Sequence, residues 1–582
     1  MRSVLVVVVA WAASVSLAAA DELYVAPDGS DSAQGTLDAP FATLERAQEV
    51  AGPGDTVWIR GGVYRFSGTT KAVGVAFTKS GTKDQPIRYF AYRDEVPIFD
   101  LFELKPQERV TGLDVRCNAI HLRGLEVRGV RQIIVGDSWG VRVRGDDNIL
   151  ERLHVHDNEA PGVFITSGGS NLVLNCDSHN NYDPLEGGGN GDGFGCHSTG
   201  ANNVLRGCRA WWNSDDGYDF INAPGTCVVE HSWAFRNGYV PETTMAAGNG
   251  AGFKSGGFGS PPKIPAGGVP RHVIRFNLAF RNRAQGFYAN HHPGGLDFLN
   301  NTAFGNAANF DMLVEGGPST HKLHNNLAVA PGGDVARFTG GEDTGNSWNL
   351  PVMVSAADFL SMDESEAMQP RAADGSLPAI KLLHLAESSD LADRGMDLGL
   401  PFVGAGPDLG AFERGSETST APDAGVGVPA GDAGAPMAGA GGDGAGGASD
   451  AGAAGQAAQA GRASQSQPGA PSGGAWSGGS GGTAAVAGAG AAGGTGEAKG
   501  GVSAGAAAPV SDPAADGGCG CRIAPTTAAT TSAGSSHIQL LLLAAAGMIL
   551  RLRARRRRNR AASPQAHRSN AGRATMETKN PS

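Results

Sequence analysis

Cys208-Arg-Ala-Trp-Trp-Asn213 returns as Ser232-Trp-Ala-Phe-Arg-Asn237, as Asn277-Leu-Ala-Phe-Arg-Asn282 and as Asn301-Thr-Ala-Phe-Gly-Asn306. Weaker copies run from Leu153 to Asn158 and from Cys176 to Asn181, and another begins at Asn326. The starts at 153, 176, 208, 232, 277, 301 and 326 lie 23, 32, 24, 45, 24 and 25 residues apart. A unit of about 24 residues, with insertions in two copies, fits every interval. Each unit holds short β-prone runs, such as Val204-Leu205, Val273-Ile274 and Phe298-Leu299, broken by Gly and Asn. Such a unit is too short for a helix and a strand with their connections, and a propeller blade needs about 40 residues. It suits one coil of a parallel β-helix, with three short strands and three turns. Strands of successive coils then pair at about 4.8 Å. Identical side chains stack in ladders, which accounts for the recurring Asn. The expected fold class is therefore all-β, a parallel β-helix solenoid.

A solenoid must cover its open end, because unpaired strand edges invite aggregation. Pro40 to Ala51 is amphipathic, with Phe41, Leu44, Ala47 and Val50 at helical spacing, and is the expected N-terminal capping helix. Val57-Trp58-Ile59 and Val63-Tyr64 then start the first coils. Only residues 21–414 have the mixed composition that builds a core. Residues 1–20 read as a secretion signal: basic Arg2, an apolar run from Val4, and Ala18-Ala19-Ala20 at the cleavage site. Residues 415–516 are Gly, Ala, Ser and Pro with scattered Asp, a flexible linker that cannot offset its ordering entropy. Residues 517–560 hold Cys519-Gly-Cys521, an apolar run from Ile538 to Leu550 expected to be a hydrophobic helix, and an Arg cluster; 561–582 is a polar tail. The 517–560 segment resembles the C-terminal sorting signals of myxobacterial surface proteins, which implies a sorting protease and display at the outer cell surface. A plain membrane anchor is the alternative, and both put residues 21–414 outside the cytoplasm.

The net charge of −11 argues against nucleic acid as a partner, and the one dense basic run, Arg551 to Arg560, reads as a membrane flank. Export permits disulfides. Residues 21–414 hold Cys117, Cys176, Cys196, Cys208 and Cys227, an odd number, so at least one stays unpaired there. No C-x-x-C pair occurs, which argues against a zinc site.

A second repeated element sets the chemistry. Gly193-Phe194-Gly195, Gly217-Tyr218-Asp219, Gly252-Phe253-Lys254 and Gly286-Phe287-Tyr288 share one pattern. Aligning the glycines puts Gly195, Asp219, Lys254 and Tyr288 in one ladder on neighbouring coils. The residues before the glycines give a second ladder, Asp192, Asp216 and Ala251, with Asp215 beside Asp216. Four carboxylates so close cannot all ionise without a cation. Hard oxygen ligands on short, glycine-rich turns suit Ca²⁺, and the spacing is not that of an EF-hand. Lys254 follows the glycine-rich Asn249-Gly-Ala-Gly252. A neighbouring dication and burial would both lower its pKa and supply a neutral amine.

Asp192-Gly-Phe194, Asn213-Ser-Asp-Asp-Gly-Tyr-Asp219, Gly250-Ala-Gly-Phe-Lys254 and Gly286-Phe287 together resemble the family 9 pectate lyases. The resemblance extends from Tyr24-Val-Ala-Pro-Asp-Gly-Ser30 to Pro407-Asp-Leu-Gly-Ala-Phe-Glu413. It implies a right-handed parallel β-helix acting on an acidic polysaccharide, with Asp192, Asp215, Asp216 and Asp219 as calcium ligands and Lys254 as base. The implied reaction is β-elimination on a polyuronide such as pectate. Calcium acidifies the proton on C5, Lys254 removes it, and the bond to O4 breaks. The family pattern is not kept at Cys196-His197 nor at Tyr288-Ala-Asn-His-His292. His197, Tyr288, Asn290, His291 and His292 are therefore substrate-side candidates. By repeat alignment Trp211 joins the Phe235, Phe280 and Phe304 packing ladder, and Trp212 is left open. The catalytic domain is expected to be monomeric. Two alternatives remain at this stage: a glycoside hydrolase of the same fold, which needs two carboxyl groups rather than lysine and calcium, and a non-catalytic glycan-binding adhesin.

Overall fold

The computed structural model describes residues 20–314 and 319–415. The secretion signal, the linker, the Cys motif with its apolar run and the polar tail lie outside the described residues. Among the described residues no helix is long and apolar enough to cross a membrane.

Three parallel sheets, of twelve, ten and ten strands, are visited in strict rotation along the chain. The first full coil runs through Thr56–Ile59, Gly62–Gly68 and Val73–Phe77, and the last strand is Glu342–Thr344. All the strand pairs between coils are parallel, and they hold register except for one shift between Arg65 and Ser67 where Gly62–Gly68 meets Pro97–Leu104. The expected solenoid is thus present. The capping helix spans Leu44–Val50, its N-terminus closed by Thr43, whose side chain accepts from the Arg46 amide. One strand precedes it: Glu22–Val25 already pairs with Thr56–Ile59. That four-residue strand is too short to show a period in the sequence.

Two Asn ladders cross the stack. Asn277, Asn301, Asn326 and Asn346 form one, each donating from its amides to the next Oδ1 at 2.9–3.1 Å. Asn158, Asn181, Asn213, Asn237, Asn282 and Asn306 form the other. Asn237 uses every polar group it has. Its Oδ1 accepts from the Asn213 backbone and side-chain amides, and its own amides donate to Asn282 Oδ1 and Ala210 O. The corners are tight, and most of the second kind need one residue in the left-handed conformation. Asn180, Trp212, Arg236 and Arg281 hold φ of 53–56° there. This backbone column explains the second tryptophan of the repeat, whose ring meets Tyr239 and Arg236.

From Asp177–His179 onward each second-sheet strand alternates around a small residue. Ala210, Ala234, Ala279 and Ala303 point into the lumen, in register. Their neighbours Trp211, Phe235, Phe280 and Phe304 point out, stacked in parallel where Trp211 meets Phe235 and Phe235 meets Phe280. The expected packing ladder is real, but it lies outside the coil. Residues 345–414 form no further coil. They cross the outer face of this sheet with Phe359, Leu382, Leu391 and Phe412 and bury the aromatic row. Arg371 ties this strap down through Asp177, which Arg209 also holds. Cys196 and Cys227 form a disulfide; Cys117, Cys176 and Cys208 are free and buried.

Replacing Asn237 by Ala strands the Asn213 and Asn282 partners in a buried ladder. The expected loss is about 2–3 kcal/mol of unfolding free energy, measured by denaturant melts against wild type.

Candidate active site

The third sheet carries the site. Gly195 pairs with Asp219, Asp219 with Lys254, and Lys254 with Tyr288. Phe194, Tyr218, Phe253 and Phe287 point inward as a parallel ring stack at 4.5–5.1 Å. Strand alternation then turns Asp219, Lys254 and Tyr288 outward. The glycine alignment therefore holds residue by residue. The glycines are steric necessities. A Cβ on Gly217 would sit 2.6 Å from Gly252 O, and one on Gly252 would sit 2.7 Å from Asn282 Nδ2.

Backbone amides hold one oxygen of each aspartate. Asp192 Oδ1 accepts from the Asp216 amide at 3.0 Å, Asp216 Oδ1 from Ala251 at 2.7 Å, and Asp219 Oδ1 from Ile221 at 2.7 Å. The remaining oxygens converge. Asp192, Asp216 and Asp219 each offer one oxygen, all within 4.8 Å of one another. Lys254 Nζ lies 3.1 Å from Asp216 Oδ2 and 3.2 Å from Asp219 Oδ2. Asp216 is wholly buried, and the Lys254 ammonium is the partner of its Oδ2. Asp215 is buried beside this trio but outside it, and its Oδ1 accepts from the Asn249 amide. An oxygen-only, buried, anionic trio fits a hard dication such as Ca²⁺.

Burial pushes the Asp192, Asp215 and Asp216 carboxyls up, and mutual repulsion adds to the rise. Asp219 differs. Burial raises it too, but the Lys254 ammonium and His197 outweigh burial and hold it below the usual carboxylate range. The sequence expectation for Lys254 concerns a site that holds a dication, and the protein groups alone act otherwise. Burial lowers it, but Asp219, Asp216, Asp215 and Asp192 together push it well above the ordinary lysine value. The carboxylates that could gather a cation are also the groups that hold the Lys254 proton.

The substrate-side candidates separate. His197 Nε2 reaches within 3.8 Å of Asp219 Oδ2, and its ring meets the edge of Phe164. Tyr288 is next to Lys254 in the ladder, its hydroxyl raised by burial and then by Asp311. His291 stands beside Tyr288. Asn290 turns back, donating from Nδ2 to Gly256 O at 2.6 Å. His292 serves the fold: Nδ1 accepts from the Gly257 amide, and Nε2 bonds to Pro270 O.

Sequence reasoning missed the basic end of the same sheet. Arg142 occupies the ladder position two coils before Gly195, and Arg116 and Arg144 flank the buried Asp114. The alternation Val141-Arg142-Val143-Arg144 was the available signal, since period two puts both arginines outside.

The family described as "Pel9A-like, right handed beta helix region" matches residues 23–326. The chain belongs to this family. Pectate lyase L of Dickeya chrysanthemi is 36% identical over 402 residues, covering 67% of this chain and 90% of that protein. Pectate lyase PEL9 of Emericella nidulans is 32% identical over 397 residues, covering 64% and 94%. Among solved structures, pectate lyase Pel9A superposes with a TM-score of 0.60 at 33% identity, covering 68% of this chain and 97% of that one. A rhamnogalacturonan lyase gives 0.59 at 36% identity, covering 63% and 96%. The protein is a polysaccharide lyase with a right-handed parallel β-helix, and the hydrolase and adhesin readings fall away.

In this lyase Asp192 has a raised carboxyl. Such a group contributes stability below the ordinary carboxylate range and loses it as pH rises through the folded value. With chelator present, Asp192→Asn should therefore raise the melting temperature at neutral pH. At about pH 4, near the ordinary Asp value, the gain should shrink. Calorimetry at the two pH values checks the sign.

Proposed function

We propose that this lyase cleaves a uronate polysaccharide, polygalacturonate first, by calcium-dependent β-elimination with Lys254 as the base. The observation that carries the reading is the position of Lys254 Nζ, buried and shared between Asp216 Oδ2 and Asp219 Oδ2. Asp192, Asp216 and Asp219 would hold the ion, with Asp215 adding charge alongside them. Bound Ca²⁺ would supply the positive charge that engages the uronate carboxylate and acidifies the proton on C5. Carboxylates committed to a dication no longer hold the Lys254 proton, and burial then pushes the amine downward. Neutral Lys254 takes the C5 proton, the C4–O4 bond breaks, and a C4–C5 double bond remains. His197 and Tyr288 flank the base and are placed to orient the sugar. Arg142, Arg116 and Arg144 lie along the same sheet and favour a polyanionic chain.

The relatives named pectate lyases support polygalacturonate as substrate. The rhamnogalacturonan lyase, as similar in sequence, supports a second substrate reading for the same site. Purified residues 21–414 should release ultraviolet-absorbing unsaturated product from polygalacturonate, and chelation should abolish it. Lys254→Ala should lower the rate by about 10²–10⁴-fold while circular dichroism still reports the β-helix. Reducing ends without unsaturated product would overturn the elimination, and turnover of rhamnogalacturonan alone would reassign the substrate.

The export and surface-display reading rests on residues 1–20 and 517–560 of the sequence. Deleting 517–560 should move activity from the cell surface into the medium, scored by fractionation.

A further inference from the structure

The weak repeat copies Leu153-His-Val-His-Asp-Asn158 and Cys176-Asp-Ser-His-Asn-Asn181 carry histidines that the lyase site does not use. They lie on the second sheet, whereas the lyase site is on the third. Glu126 pairs in register with His154, and His156 pairs with His179. Val155 points inward between the two histidines of its strand, so His154 and His156 both face out. Glu126, His154 and His156 each offer one ligand atom within 4.8 Å of the others. His154 Nε2 and His179 Nε2 lie 2.7 Å apart. The four side chains converge from three successive coils.

His156 is the decisive member. It is 9% exposed. Its Nδ1 lies 2.8 Å from Asp157 Oδ2, and the imidazole holds the Asp157 carboxyl below its ordinary range. Asp157 Oδ2 is an acceptor there, so a neutral ring carries its proton on Nδ1 and presents a lone pair at Nε2. That buried Nε2 makes no hydrogen bond, and the oxygen it faces, Glu126 Oε1, is another acceptor 3.4 Å away. Two acceptors turned on each other in a buried setting call for a cation or a proton between them. The carboxylate–imidazole pair is also the arrangement that orients a metal-binding histidine.

We propose that Glu126, His154, His156 and His179 form a binding site for a divalent transition metal of Zn²⁺ type. Three imidazoles and a carboxylate match the ligand preferences of such ions and not those of Ca²⁺. His154 and His179 meet through their Nε2 atoms, 2.7 Å apart. Of the two Nε2 atoms that now share one proton, the donor shifts its N–H to Nδ1 on binding, with no net proton lost. His154 is exposed and gives the ion a way in. Arg128 competes, since Nη1 lies 3.2 Å from Glu126 Oε1, but it also leans on Asp100, and Asp157 adds a compensating charge. Trp211 stacks on His179 at 4.1 Å and fixes the ring from the far side. Cysteine spacing, which disfavours a zinc site, carries no information on imidazoles gathered from separate coils.

The test uses the untagged full chain, stripped of metal and held in excess Ca²⁺ so that the carboxylate trio is filled. Equilibrium dialysis against low-micromolar Zn²⁺ should give one ion per chain, and Co²⁺ loading should give the visible absorption of a four-coordinate nitrogen–oxygen site. His179→Gln should weaken binding by about a hundredfold, and Asp157→Asn, which only orients His156, by about tenfold. Elimination activity on the same samples reports that each variant is folded. No bound Zn²⁺ in wild type would overturn the proposal, as would binding unchanged in both variants. So would a His156 ring that carries protons on both nitrogens at neutral pH and ignores Zn²⁺ by nuclear magnetic resonance.

Discussion

Every coil of this solenoid must meet the next in register, and the buried asparagine amides enforce that. A strand shifted by one residue turns its whole outer row into the lumen. Asn213, Asn237 and Asn282 forbid such a slip beside the site, because each amide has one partner above and one below. The same coils carry Asp216, Asp219 and Lys254. The ladder that holds the stack together is therefore what sets the carboxylates and the lysine on one outer face.

The site so assembled is electrostatically unfavourable by itself. Asp192, Asp215, Asp216 and Asp219 are buried together, and Lys254 is the one ammonium placed between their oxygens. Burial and repulsion raise three of the four carboxyls, while the lysine holds the fourth down. Backbone amides from neighbouring turns fix one oxygen of each group, so the side chains do not rotate away from one another. A rigid, anionic, oxygen-lined pocket is expensive to fold and is suited to a dication. Its lysine changes partner balance when the carboxylates change theirs.

The three sheets have divided their outer faces. The third carries the candidate lyase site, with Arg116, Arg142 and Arg144 toward one end. The second is largely hidden by residues 345–414, which seal the row from Trp211 to Val329. Near the edge of that cover, where Arg371 grips Asp177, the outer row changes from aromatic rings to the histidines of the neighbouring coils. Polar chemistry on this sheet thus begins where the strap ends.

The sequence by itself determined the repeat, and with it the solenoid, the Asn ladders and the alignment of Asp219, Lys254 and Tyr288. Period and register are local properties, and glycine at 193, 217, 252 and 286 marks the same point of each coil. The N-terminal strand at Glu22–Val25 and the path of residues 345–414 were not legible, since neither repeats. Only tertiary structure decided which oxygens converge, because the carboxylate rotamers answer to amides such as those of Ala251 and Ile221. It set Asp215 outside the trio, although its neighbour Asp216 is inside, and it gave His292 to the fold rather than to the sugar. It also set the shift that the four carboxylates impose on Lys254. The sign depends on how near four charges come in a buried space, and spacing along a chain does not contain that distance.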